Sequence, residues 1–307
     1  MADAGKILVK PPERLGRTVV VGYCDVSAAG IRALAGLSCD GGSSGLREAG
    51  REELEFSGMG NPVFVGMPAV EAAHLDRGNV ADGSPSVTLL KINTPLWGAV
   101  SVPVATALAD LLSARLAKGD LDAVVVAAAV QRPTRAPRAP GFETGTGAKE
   151  DIDVDMGSTT PSSSTSTSNG GQQPEAGGGV YLHARSWDRS VPLPEAVKSL
   201  PKVWEGARTG DGFLTTLLRL LQLEEVPLLA LICGGYRMAA PVKGNERRDD
   251  GTGQAVEALG QCLASYLGMG FDKGGQACAS LEVASWPAQD AQLALPGDGD
   301  GACLTYL

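Results

Sequence analysis

Residues 212–235, GFLTTLLRLLQLEEVPLLALICGG, decide the fold. Phe213, Leu214, Leu217, Leu218, Leu220 and Leu221 recur at helical spacing, so one side of the first half must be covered by other protein. Thr215, Thr216, Arg219 and Gln222 fall mostly on the other side. The pattern breaks at Glu224, Glu225 and Pro227. The run 228–233 then carries no polar residue, as expected of a strand covered on both faces, and Gly234 and Gly235 end it. A helix feeding such a strand predicts an α/β fold: three α/β/α layers around a mostly parallel or mixed sheet.

The same logic repeats upstream. Residues 86–93, SVTLLKIN, read as a strand. Residues 104–118 place Ala107, Leu108, Leu111, Leu112 and Leu116 on one helical stripe, and 121–130, LDAVVVAAAV, supply a second apolar strand. This strand, helix, strand unit has the length that a right-handed crossover needs. Residues 17–24, RTVVVGYC, and 61–67, NPVFVGM, read as two earlier strands, and 180–183 and 281–283 as short later ones. Val256, Leu259, Cys262, Leu263, Tyr266 and Leu267 form a further helical stripe, which Asp249 and Asp250 could start. The expectation is a single α/β domain over residues 1–307.

Between residues 131 and 179 the composition changes. Proline and arginine give way to acidic residues and then to TTPSSSTSTSNGGQQPEAGGG, which cannot bury enough apolar surface to offset its ordering entropy. Residues 134–178 are therefore expected to be a disordered insertion loop within the domain. Between Glu143 and Glu175 there are six acidic residues and one basic, about −5 of the formal −9. Residues 287–307 are rich in small residues and are expected to form a flexible C-terminal tail.

A charge of −9 and a pI near 4.9 argue against a general nucleic-acid or anionic-membrane surface. Arg132, Arg135 and Arg138 are proline-spaced and read as a solvated loop. The six cysteines, at 24, 39, 233, 262, 278 and 303, show no zinc spacing. The amino-terminal MADAGKILVK has too short an apolar run for a signal peptide, and the apolar runs near 123–130 and 226–233 fall short of the ~20 residues that cross a bilayer. These features predict a reducing compartment, cytoplasm or nucleus, without disulfides, and Cys233 and Cys262 as small core hydrophobes.

Few residues offer chemistry. His74 and His183 are the only histidines; His74, in EAAHLDR, reads as a helix surface. No G-x-S-x-G elbow accompanies a Ser-His-Asp triad, and no local signature supports a Cys-His pair. The loop DGGSSG at 40–45 lacks the lysine of a phosphate-binding loop, and Glu224 and Glu225 are neighbours that cannot face each other across a substrate. Asp298 and Asp300 lack the further ligands of a calcium loop. Gly251 and Gly253 meet Val256 where a dinucleotide fingerprint needs a third glycine. The expectation is no catalytic residue, no metal and no cofactor. A pocket at the ends of Cys233 and Val130 would instead favour a small-molecule enzyme of nucleoside phosphorylase-like or hydrolase-like fold.

Three features together resemble the proteasome assembly chaperone 1 family. SVTLLKIN, the helix over 104–118 and LDAVVVAAAV, followed by an insertion, look like its middle region. LPEAVKSLPKVWEGARTGDGFLTTLLRLLQLEEVPLLALICGGY, residues 193–236, is similar to its proline-containing approach, leucine-rich helix and apolar strand. Thr305, Tyr306 and Leu307 look like the tail whose penultimate tyrosine enters a pocket of the proteasome α-ring, although Thr305 stands where the family prefers a hydrophobic residue. The resemblance implies a non-enzymatic chaperone that forms a heterodimer with a proteasome assembly chaperone 2-type partner and binds proteasome α-subunits through that tail. Two tails of a heterodimer would reinforce each other. The other reading of Tyr306 is a residue that packs on its own domain.

Overall fold

The computed structural model describes residues 7–25, 28–40, 42–77, 86–96, 98–131, 180–183, 193–201, 208–235, 252–272 and 305–306. The insertion expected over 134–178 lies outside these residues, as do Arg132, Arg135, Arg138, Asp249, Asp250, Asp298, Asp300, the strand expected at 281–283 and most of the expected tail. In chain order the elements are β1 (Leu8–Lys10), β2 (Thr18–Cys24), α1 (Ala29–Ala35), β3 (Leu37–Ser38), β4 (Arg47–Glu53), β5 (Glu55–Phe56), β6 (Val70–Asp76) and β7 (Val87–Pro95). They continue with α2 (Ser101–Ala117), β8 (Ala123–Gln131), β9 (Val180–His183), α3 (Glu195–Lys198), β10 (Arg208–Thr209), α4 (Gly212–Leu223), β11 (Leu228–Gly235), α5 (Thr252–Leu267), β12 (Gly270–Phe271) and β13 (Thr305–Tyr306).

Seven strands make one mixed sheet in the order β4-β6-β7-β2-β8-β11-β9. The inner four, β7, β2, β8 and β11, are parallel, while β6, β4 and β9 run against their neighbours. The crossover from β7 through α2 to β8 passes over β2, which pairs with both strands. Side chains alternate between two cores. Val19, Val21, Leu90, Val124, Val126, Leu228 and Ala230 face α2 and α4, while Val20, Leu89, Val125, Ala127, Leu229 and Leu231 face α1 and α5. This is the three-layer α/β/α architecture that the two-sided apolar strands imply.

The leucine stripe of α4 behaves as its spacing requires: Phe213, Leu214, Leu217, Leu218 and Leu221 are all buried. Thr215 is buried with them, its hydroxyl donating 2.8 Å to the Asp211 carbonyl at the start of the helix. The stretch Gly98–Ala117 is one continuous run of 20 helical residues, apolar enough to match a membrane span by composition. Its Val104, Leu108 and Leu112 are buried against the sheet and α4. Cys24, Cys39, Cys233 and Cys262 are free thiols, with Cys233 fully buried among apolar side chains and Cys262 packed at the edge of the same core.

Two sequence expectations are corrected. Residues 61–67 are not a strand: Val63 and Phe64 plug the core beneath Ile31 of α1. The Asn93 side chain holds the segment, with Oδ1 accepting from Phe64 N at 2.9 Å and Nδ2 donating to the Phe64 and Met67 carbonyls. His74 is not on a helix surface but in β6, buried, where its Nε2 meets Glu52 Oε1 at 2.7 Å and its Nδ1 meets Thr88 Oγ1 at 3.0 Å.

Helix α1 is pressed unusually close to the sheet. A Cβ on Gly22 would lie 2.6 Å from the Gly30 carbonyl oxygen, and one on Gly30 would meet the Ala127 carbonyl. Gly22→Ala is expected to cost about 2 kcal/mol or more, because backbone must move to admit the methyl. Urea unfolding of the variant checks this; an unshifted midpoint would show that the helix can lift away.

Candidate functional site

In open α/β sheets, ligands meet the carboxyl ends of the parallel strands, so the groups gathered there come first. Strand β2 ends in Tyr23 and Cys24, and Asp25 follows. Asp25 is buried, with Oδ1 accepting from Ala29 N at 2.7 Å and Oδ2 from Gly30 N at 3.1 Å and Ala129 N at 2.5 Å. One carboxyl thus joins the end of β2, the first turn of α1 and the end of β8. The chain enters α1 through Ala28, a non-glycine residue with φ 51°, a left-handed conformation that the Asp25 contacts hold in place.

On the opposite face of β2 the Tyr23 hydroxyl donates 2.6 Å to Asp211 Oδ2, linking residues 188 apart in sequence. Asp211 is the N-cap of α4, its Oδ1 accepting from Leu214 N at 2.8 Å. The Tyr23 ring packs edge-on against Phe213, with centroids 4.8 Å apart. Burial pushes the Asp25 carboxyl up to about 7, opposed by its three N–H donors and reinforced by the charge of Asp211. Burial likewise raises Asp211, and burial together with the two nearby carboxyls holds the Tyr23 phenol well above its ordinary range. These groups engage protein donors and form a brace at the end of β2.

The expected docking residues come to the same neighbourhood. Thr305 and Tyr306 form β13, which pairs antiparallel with β10, Arg208 opposite Tyr306 and Thr209 opposite Thr305. Strand β13 also lies beside α4. Leu307 lies outside the described residues. β10 is a prepared ledge: Thr209 is buried and its Oγ1 accepts from Asp211 N at 3.2 Å, so the strand is tied through Asp211 to both α4 and Tyr23. The structure therefore seats Thr305 and Tyr306 on the domain's own backbone.

Sequence reasoning missed Asp25, Tyr23 and Asp211. The D-G-F turn before the leucine stripe offered a capping signal for Asp211, but nothing local announced its partner. The residues that follow Val130 and Cys233, where a pocket would favour the small-molecule enzyme reading, lie largely outside the described residues. A cavity of about 390 Å³ opens at the opposite, amino edge of the sheet, between Thr18, Val87, Arg77, Leu193 and Tyr266. Among the described residues no cluster of three or more potential metal-ligating side chains occurs.

Two outcomes follow for the brace. Since folding raises the Asp25 pKa from 3.8 to about 7, the native state holds a proton that the unfolded chain has released. The stability contributed by this group is fully present below pH 4 and is lost as pH rises through 7. Asp25→Asn should flatten that slope relative to the parent and cost about 2 kcal/mol or more, since its one acceptor faces three N–H groups; parallel urea titrations from pH 4 to 8 measure both. Tyr23→Phe, which strips Asp211 of its hydroxyl donor, is expected to cost about 1 to 3 kcal/mol. A neutral effect in the same titration would mean that water replaces the hydroxyl.

No family model matches the chain, and no curated protein matches it. Solved structures similar to it include Pyrococcus furiosus PbaA, an archaeal homolog of proteasome-assembly chaperone, at 11% identity and a TM-score of 0.44, covering 87% of this chain and 88% of that one. P. furiosus PbaB, an archaeal proteasome activator, matches at 9% identity and a TM-score of 0.46, covering 89% and 92%. A proteasome-assembly chaperone homologue of Mycobacterium tuberculosis matches at 12% identity and a TM-score of 0.37, covering 86% and 90%. Likeness at this level assigns no residue a role.

Proposed function

We propose that this chain is a non-enzymatic proteasome assembly chaperone subunit. In this reading it forms a heterodimer with a second chaperone of related fold and binds the α-ring of the proteasome core particle during assembly, in the cytoplasm or nucleus. Thr305, Tyr306 and Leu307 dock into the α-ring. The observation that carries the proposal is the segment 193–236, whose proline-containing approach, leucine-rich helix and two-sided apolar strand resemble the chaperone family, following the β7-α2-β8 unit that resembles its middle region. The buried carboxyls favour a body built for contact, because Asp25 and Asp211 engage backbone donors and Tyr23.

The physics of docking supports a weak, exchangeable tail. A tyrosine brings a large apolar ring with a hydrogen-bonding tip, and a chain-terminal carboxylate can pair with a lysine in the receiving pocket. Each tail must be ordered on binding, so the second tail of a heterodimer adds effective concentration.

The test is the purified heterodimer with Tyr306 and Leu307 removed. Folding and pairing are expected to remain, while affinity for α-subunits falls by about tenfold or more, the equivalent of at least 1.4 kcal/mol. Unchanged affinity would reject the tail's role. Affinity purification of the full chain that recovers neither α-subunits nor a second chaperone would reject the whole reading.

A further inference from the structure

We propose that β10 is a berth for the chain's own docking strand: Thr305 and Tyr306 rest on Arg208 and Thr209 in the unbound chain and must leave before they enter an outside socket. The inference rests on the docking role proposed above and adds its regulation.

Three observations carry it. The pairing is in register and antiparallel, so the backbone groups of β13 are directed at those of β10. Among the described residues β10 has no other strand neighbour, and the two strands form a separate sheet. The berth is also tied to the domain from behind, because Thr209 Oγ1 accepts from Asp211 N, and Asp211 is held by Leu214 N and the Tyr23 hydroxyl. An edge strand held from behind, offering unpaired N–H and C=O groups, is what an extended peptide needs in order to add itself to a fold.

The length of the contact sets its strength. Two paired residues are far fewer than an independently stable ladder requires, so the seated state should exceed the released one by a factor on the order of ten. That is enough to hide the strand from weak partners. It is small enough for a socket that also captures the tyrosine ring to win. Apparent affinity for the socket is then lowered by the fraction of chains with the strand seated.

The test places cysteines at Thr209 and Thr305, with Cys303→Ser so that Cys303 cannot compete, and leaves Tyr306 and Leu307 in place. Residues directly opposite in an antiparallel pair have Cα atoms about 4.5 to 5.5 Å apart, within disulfide reach. Mild oxidation of the isolated chain is expected to give a 209–305 link within one monomer, and the linked chain should bind α-rings at least tenfold more weakly, with reductant restoring binding. No such link would overturn the berth. A link with undiminished binding would overturn the competition. The link is read without any proteasome subunit, so a chain that forms the link while the unaltered chain ignores α-rings would sink the docking role and leave an intramolecular strand. On the unaltered chain, a cross-strand nuclear Overhauser contact between Thr209 and Thr305 is expected, and its absence would overturn the berth independently of any variant.

Discussion

The structure depends on strands that have no wettable side. β2, β8 and β11 bury valine, leucine and alanine on both faces, so the sheet requires a helical layer above and another below. At roughly 25 cal/mol per Å² of apolar surface, such a sheet could not persist with either face bare. That requirement sets the positions of the helices. α2 and α4 cover one face, α1 and α5 the other, and the loops into α1, α2 and α4 gather at the carboxyl edge.

At that edge the same arrangement creates an electrostatic problem that the chain answers with backbone. Asp25 is buried, and three N–H groups from two separate elements converge on its carboxyl. Asp211 does similar work on the other face, capping α4 while receiving the Tyr23 hydroxyl. Burial and the charge of Asp211 both push Asp25 up, and burial with the two carboxyls keeps the Tyr23 phenol protonated. Rigidity at the edge therefore comes from shared hydrogen bonds, and it extends to Thr209 and the strand that lies on it.

Much of this was legible in the residues, and the exceptions have physical causes. β11 and β8 could be read because every side chain carries the same message, and α4 because its leucines keep a helical period. β6 could not. Its Glu71 and His74 look like solvated residues, yet Glu71 meets Lys91 at 2.8 Å and His74 meets Glu52 and Thr88, all supplied by neighbouring strands. Strand partners are chosen by register, which no local window displays. Residues 61–67 failed for the converse reason: Val63 and Phe64 are apolar because they fill a gap, and Asn93 holds them through its side chain and through its carbonyl, which accepts from Val63 N at 2.8 Å. The brace of Tyr23 and Asp211 joins positions too distant for any spacing rule.

The outermost strand of the long side, β4, is exposed along most of its length and carries Arg47, Glu48, Arg51, Glu52 and Glu53, with a bulge between Glu48 and Gly50. A neighbouring polypeptide that tried to prolong the sheet there would have to strip water from alternating charges and match a broken register. Growth of the sheet into fibres or open-ended stacks is thereby discouraged on that flank.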